Sequence, residues 1–136
     1  GGEEKGLYEK IIKENNLSKQ VEIIGPVSNT SLYYKISDIY VLSSTHETLG
    51  QTVLEALVSG SPICAFSPNL TNILTSTNEI TDESNCNYAN EFSSKALSEA
   101  ILNSINKLNS NYYDREKISK EAMQKFNWST LIEKLS

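Results

Sequence analysis

The chain has 136 residues, which is one domain's worth of polypeptide. Its net charge is −5 and its isoelectric point is near 4.9, which argues against nucleic acid as a primary partner, because phosphate neutralisation needs a basic surface. No apolar run approaches the ~18 residues of a membrane span, and no basic segment leads into an apolar signal sequence, so the expected compartment is the cytoplasm.

Residues 3–15 read as a helix, with Leu7, Ile11 and Ile12 at helical spacing. Residues 21–24 are a short β-branched run closed by Gly25-Pro26, which predicts a strand and a turn. Residues 30–37 predict a short helix. Ile39-Tyr40-Val41-Leu42 is a nearly continuous apolar run, as expected for a parallel strand covered on both faces. A polar loop is expected over residues 43–48. The next helix spans residues 50–59, with Val53, Leu54, Leu57 and Val58 inward and Gly60 as its C-terminal glycine. Residues 62–66 predict a further strand.

The alternation of helix and strand, with short connections, predicts an α/β fold: a Rossmann-like three-layer sandwich around a parallel sheet. Residues 67–91 are rich in Asn, Thr and Ser and show no period, although residues 85–88 suit a last strand. Residues 93–108 predict a helix capped by Ser93 or Ser94, with Ala96, Leu97, Ala100, Ile101 and Ile105 as its core stripe. Residues 114–126 predict another, with Ile118 and Ala122 inward, and residues 128–135 a short terminal one. Gly1-Gly2 stands directly before a helix with no strand ahead of it. It is either a cloning scar or the end of a first strand, and both suggest a piece of a larger protein.

Cys64 and Cys86 lack metal-ligand spacing and read as free thiols, with a disulfide between them as the alternative. His46 is the only histidine, which excludes a zinc site built on several histidines. Arg115 is the only arginine, so a bidentate clamp on phosphate could come only from there. Tyr33-Tyr34 and Tyr112-Tyr113 sit at spacings that suit packing better than stacking on a base.

The chemistry concentrates in residues 46–56, between an apolar strand and a helix. Ligands of open α/β sheets bind at that end of the sheet. Gly50 permits close approach, and the amides of Gly50, Gln51 and Thr52 are unpaired at the helix start. Together with the helix dipole and the Thr52 hydroxyl they suit a diphosphate. Glu47 and Glu55, eight residues apart, bracket these amides. Carboxylates accept from sugar hydroxyls, so the layout suits ribose, diphosphate and hexose in a row. Read without context, both are equally compatible with solvated surface residues, though Glu55 sits among Leu54, Ala56 and Leu57.

Gly25-Pro26-Val27, Leu32-Tyr33-Tyr34, Ser37-Asp38-Ile39-Tyr40-Val41, Ser43-Ser44, Glu47-Thr48-Leu49-Gly50, Glu55-Ala56 and Gly60-Ser61-Pro62-Ile63 form an ordered series. The series resembles the C-terminal domain of GT-B glycosyltransferases of the retaining family 4, over nearly the whole chain. Glu47 and Glu55 match that family's Glu-x7-Glu motif. The resemblance implies a single nucleotide-sugar-binding domain over residues 1–136, with an acceptor-binding N-terminal domain outside this chain. It implies that Glu55 holds the ribose, and that Glu47 contacts the donor sugar and the reacting end as the catalytic residue. Thr48, Leu49, Gly50, Gln51 and Thr52 would hold the diphosphate, with Gly25 and Val27 near the base.

The implied donor is a UDP- or GDP-sugar and the implied acceptor a glycan or lipid-linked molecule. No cofactor or metal is implied, and membrane contact, at the inner face, would belong to the other domain. The chain alone is expected not to turn over. The family's Gly-rich, Glu-containing stretch is replaced here by Ser67-Pro68-Asn69-Leu70-Thr71-Asn72, and its basic Arg/Lys pair has no counterpart. His46 falls at a variable position of the motif and reads as a loop residue. A non-catalytic α/β module that pairs with a partner glycosyltransferase chain is the alternative.

Overall fold

A computed structural model describes residues 4–47 and 50–126. The chain divides into two compact units, residues 1–30 and 31–136. In the first unit, α1 (Lys5–Glu14) ends in a Schellman arrangement. Asn16 takes a left-handed φ of 56°, and Leu17 N–H reaches back to Ile12 O at 2.9 Å. The predicted apolar stripe of α1 is not buried within its unit; Leu7 is 54% exposed. Residues 21–25 form no strand, contrary to the sequence expectation. A single strand cannot satisfy its own backbone groups, and no ladder takes up this run among the described residues. After it the chain bends at Pro26, with Gly25 at φ 74°.

The second unit is built on a parallel sheet. α2 (Thr30–Ile36) starts at the boundary between the units and leads into β1 (Tyr40–Leu42). β1 pairs with β3 (Ile63–Phe66), which pairs with β5 (Cys86–Ala89), giving the order β1-β3-β5. All four residues of β3 are buried, because it is covered on both faces. Ile63 and Ala65 join one core with Val53, Ala56 and Leu57 of α3 (Gln51–Val58) and Ile118 and Ala122 of α6 (Arg115–Lys125). Cys64 and Phe66 join the other with Ala100 of α5 (Ser94–Asn109), and Leu97 and Ile101 pack against it. Helix, sheet and helix make the expected three layers. Leu57 and Ile63 are 1% and 0% exposed, each contributing about 1.5–3 kcal/mol by burial.

The caps follow the sequence. Ser93 Oγ accepts from Ala96 N–H at 3.1 Å, and Asp114 Oδ1 accepts from Lys117 N–H at 3.0 Å. Gly60 closes α3 at φ 80°, and Ser61 N–H bonds Ala56 O at 2.9 Å. Ile105 departs from the expected core stripe and is largely exposed. The two cysteines are free and buried. The register pairs Ile63 with Cys86, so Cys86 shares Ile63's face and Cys64 points to the opposite face. The disulfide alternative is thereby removed. Burial pushes the Cys64 thiol up to about 11 and that of Cys86 to about 12, so both are protonated and poor nucleophiles at neutral pH.

The polar stretch held two surprises. Residues 46–47, expected in a loop, form β2 (His46–Glu47), and β2 pairs in parallel with β4 (Leu74–Thr75). α4 (Thr77–Ile80) follows at once. Strand pairing of two residues each depends on backbone groups and leaves no side-chain period to read. The expected helix over residues 128–135 lies outside the described residues. No described helix is long and apolar enough to cross a membrane.

Candidate functional site

The site residues of the second unit sit where β1 hands over to α3. The chain leaves the carboxyl end of β1 at Leu42, forms β2 and enters α3 after Gly50. Gly50 is buried, with φ 56° in the left-handed region. An added Cβ would lie 2.5 Å from Ile80 Cδ1. The left-handed backbone is what calls for glycine here, since the end of the Ile80 side chain can move aside. The N-cap of α3 is Gly50, which has no side chain, so among the described residues no N-cap side chain accepts from the amides at the helix start. Gln51 is exposed and Thr52 half-buried. A helix start at the carboxyl end of a parallel sheet is chemically suited to an anion.

Glu47 ends β2 and is half-buried. Its carbonyl accepts from Ser76 N–H at 3.2 Å, which ties β2 to the chain after β4. Glu47 lines an open cleft of about 390 Å³ with Pro68, Leu74, Thr75 and Asn78. The sequence reading missed this second wall. Residues 73–78 carry no motif, and only the strand pairing brings them to Glu47.

Glu55 lies mid-helix and is half-buried, not a free surface residue. Burial first, and the influence of the Glu55 carboxylate second, push the Tyr34 phenol up to about 12. Tyr34 packs on Tyr40, with ring centroids 5.7 Å apart, which agrees with the expected packing role. Tyr113 is likewise buried.

Arg115 lies by Gly60 at the C-terminal end of α3, not at its start. Its guanidinium donates to Ser37 O at 2.8 Å and Lys35 O at 3.4 Å, and pairs with Asp38 at 3.4 Å. It caps the end of α2, so the one candidate guanidinium clamp is committed to structure. A hollow of about 680 Å³, lined by Ser59, Arg115, Ser119, Lys120 and Met123, lies at the C-terminal end of α3. The helix dipole has the wrong sign there for a diphosphate. His46 is exposed in β2, 3.1 Å from Thr45 Oγ1, and not in a loop.

The stretch after β3 holds itself together. Ser67 N–H bonds Ala89 O at 2.9 Å, Leu70 N–H bonds Ser67 O at 3.1 Å, and Asn69 N–H reaches Ser67 Oγ at 3.3 Å. The Asn69 and Leu70 amides are used within the loop and that of Ser67 by the end of β5. Gly25 and Val27 belong to the first unit, and Thr48 and Leu49 lie outside the described residues. The geometry thus gathers Glu47, Gly50, Gln51, Thr52 and Glu55 along one strand-to-helix passage.

The family described as glycosyl transferases group 1 matches residues 1–125. Alpha-monoglucosyldiacylglycerol synthase of Streptococcus pneumoniae (strain ATCC BAA-255 / R6) is 47% identical over 77 residues, covering 51% of this chain and 17% of that protein. The synthase of the same name from Acholeplasma laidlawii is 39% identical over 64 residues, covering 46% and 16%. A lipopolysaccharide core biosynthesis glycosyltransferase of Rhizobium meliloti (strain 1021) is 32% identical over 62 residues, covering 46% and 18%. The matches to these curated relatives span under a fifth of their length.

The solved pneumococcal O-GlcNAc transferase GtfA, in complex with UDP and GlcNAc, superposes with a TM-score of 0.68 over 98% of this chain and 28% of that one, at 21% identity. That likeness gives the fold, a Rossmann-like half of a GT-B architecture. The chain belongs to the glycosyl transferases group 1 family.

Proposed function

We propose that this chain is the donor-binding half of a retaining glycosyltransferase that uses a nucleotide diphosphate sugar. One observation carries the reading: a helix start opened by Gly50 at the carboxyl end of a parallel sheet, flanked by Glu47 and Glu55. Glu55 accepts from the ribose hydroxyls. The amides at residues 48–52 and the Thr52 hydroxyl hold the diphosphate. Glu47, beside the cleft, binds donor-sugar hydroxyls and acts at the reacting end.

Amides and a helix dipole neutralise the leaving diphosphate without a metal or cofactor. UDP in the structural neighbour's complex supports a UDP-sugar, with a GDP-sugar as the other candidate. The diacylglycerol and lipopolysaccharide names of the relatives support a lipid-linked or glycan acceptor, used in a bacterial surface polymer or lipid. The acceptor is held by a further N-terminal domain of a longer cytoplasmic protein, which also makes any membrane contact. This chain alone does not turn over.

The test is sugar transfer by the longer protein that contains this chain. The product should keep the donor's anomeric configuration. Glu47→Gln keeps the size and removes the charge, and should slow transfer by roughly a hundredfold or more. Inversion at the anomeric carbon, or transfer at the native rate in the variant, overturns the assignment. Absence of all transfer by the longer protein would favour a non-catalytic module.

A further inference from the structure

We propose that Thr75 is a specificity-determining residue for the donor sugar: its hydroxyl, beside the Glu47 carboxylate, binds the sugar hydroxyl adjacent to the one that Glu47 holds. The inference rests on the donor-binding reading of Glu47. Glu47 and Thr75 are register partners in the parallel pair of β2 and β4. Partners in a parallel ladder point their side chains to the same face, on strands about 4.8 Å apart. Both residues are half-buried, and both line the cleft of about 390 Å³. Backbone bonds fix the pair from either end. Leu74 N–H bonds Thr45 O at 2.8 Å, and Ser76 N–H bonds Glu47 O at 3.2 Å.

Thr75 is also oriented by a buried neighbour. Thr77, only 1% exposed, donates its hydroxyl to Thr75 Oγ1 at 3.1 Å. A hydroxyl has one hydrogen and two lone pairs. With one lone pair taken by Thr77, Thr75 keeps its hydrogen and the other lone pair for a ligand. The Glu47 carboxylate only accepts. A sugar with hydroxyls on neighbouring carbons meets this pair, donating from one to Glu47 and accepting on the other from Thr75. A sugar with the second hydroxyl inverted or missing leaves the Thr75 hydroxyl unpaired, which is how a hydrogen-bonding site rejects a near relative. The ligand class is a hexose with two free vicinal hydroxyls.

The experiment measures the affinity of the longer protein for UDP-glucose, UDP-galactose, UDP-N-acetylglucosamine and GDP-mannose, each against its bare nucleotide. The ratio of the two affinities cancels any change in the folded fraction. For the tightest-bound of the four, Thr75→Val should lower the ratio about three- to tenfold, with bare-nucleotide affinity unchanged. Thr75→Ser keeps the hydroxyl and should hold the ratio within about twofold of native. A ratio unmoved by Thr75→Val, or lowered as much by Thr75→Ser, overturns the role of Thr75. If Glu47→Ala leaves the ratio unchanged, the donor-binding reading of Glu47 itself fails. If Glu47→Ala lowers the ratio and Thr75→Val does not, only the role of Thr75 fails. A native protein that binds none of the four overturns both.

Discussion

Gly60→Ala is expected to destabilise the second unit by about 2–4 kcal/mol. Two costs add. Gly60 has φ 80°, which an alanine adopts only with strain. The new Cβ would also lie 2.7 Å from Arg115 O and 3.3 Å from Arg115 C. Those are backbone atoms at the start of α6, so no rotamer change relieves the contact. α6 must shift, and with it Ile118 and Ala122 leave their places against α3. Urea unfolding followed by circular dichroism measures the loss. Gly6→Ala is the control, in the first turn of α1 with nothing within 4 Å of an added Cβ. It should be neutral or slightly stabilising, by up to about 1 kcal/mol. A Gly60 variant as stable as the Gly6 variant would contradict the packing described for α3 and α6.

Glu55→Ala should weaken UDP binding by about 2 kcal/mol, close to thirtyfold, because two hydroxyls lose a charged acceptor. The fold should survive, since Glu55 is only half-buried and outside both core clusters. Calorimetry on the longer protein reads the affinity. In the native protein, dideoxy-UDP should bind as weakly as UDP binds to the variant. UDP binding unchanged by Glu55→Ala would remove the ribose from this part of the site.

Much of this was legible from residue patterns. β3 reads as a buried parallel strand because its four residues are all apolar and alternate between two cores. Ser93, Asp114 and Gly60 announce helix ends because capping is local chemistry. The two glutamates announce a site only through their ordered context. What stayed hidden depended on partners distant in sequence. β2 and β4 are two residues each and join residues 46–47 to 74–75 through backbone pairing alone. Arg115 looked available for phosphate, but it serves carbonyls 78 and 80 residues earlier in the chain. Residues 21–24 have strand composition, yet composition supplies no neighbouring strand to pair with.

The most direct test of the account is a titration of the isotopically labelled 136-residue chain with UDP, GDP and ADP, followed by backbone amide shifts. The account predicts shifts centred on Gly50, Gln51, Thr52 and Glu55, with one nucleotide clearly preferred. A folded chain whose amides at the start of α3 move with none of the three would contradict it.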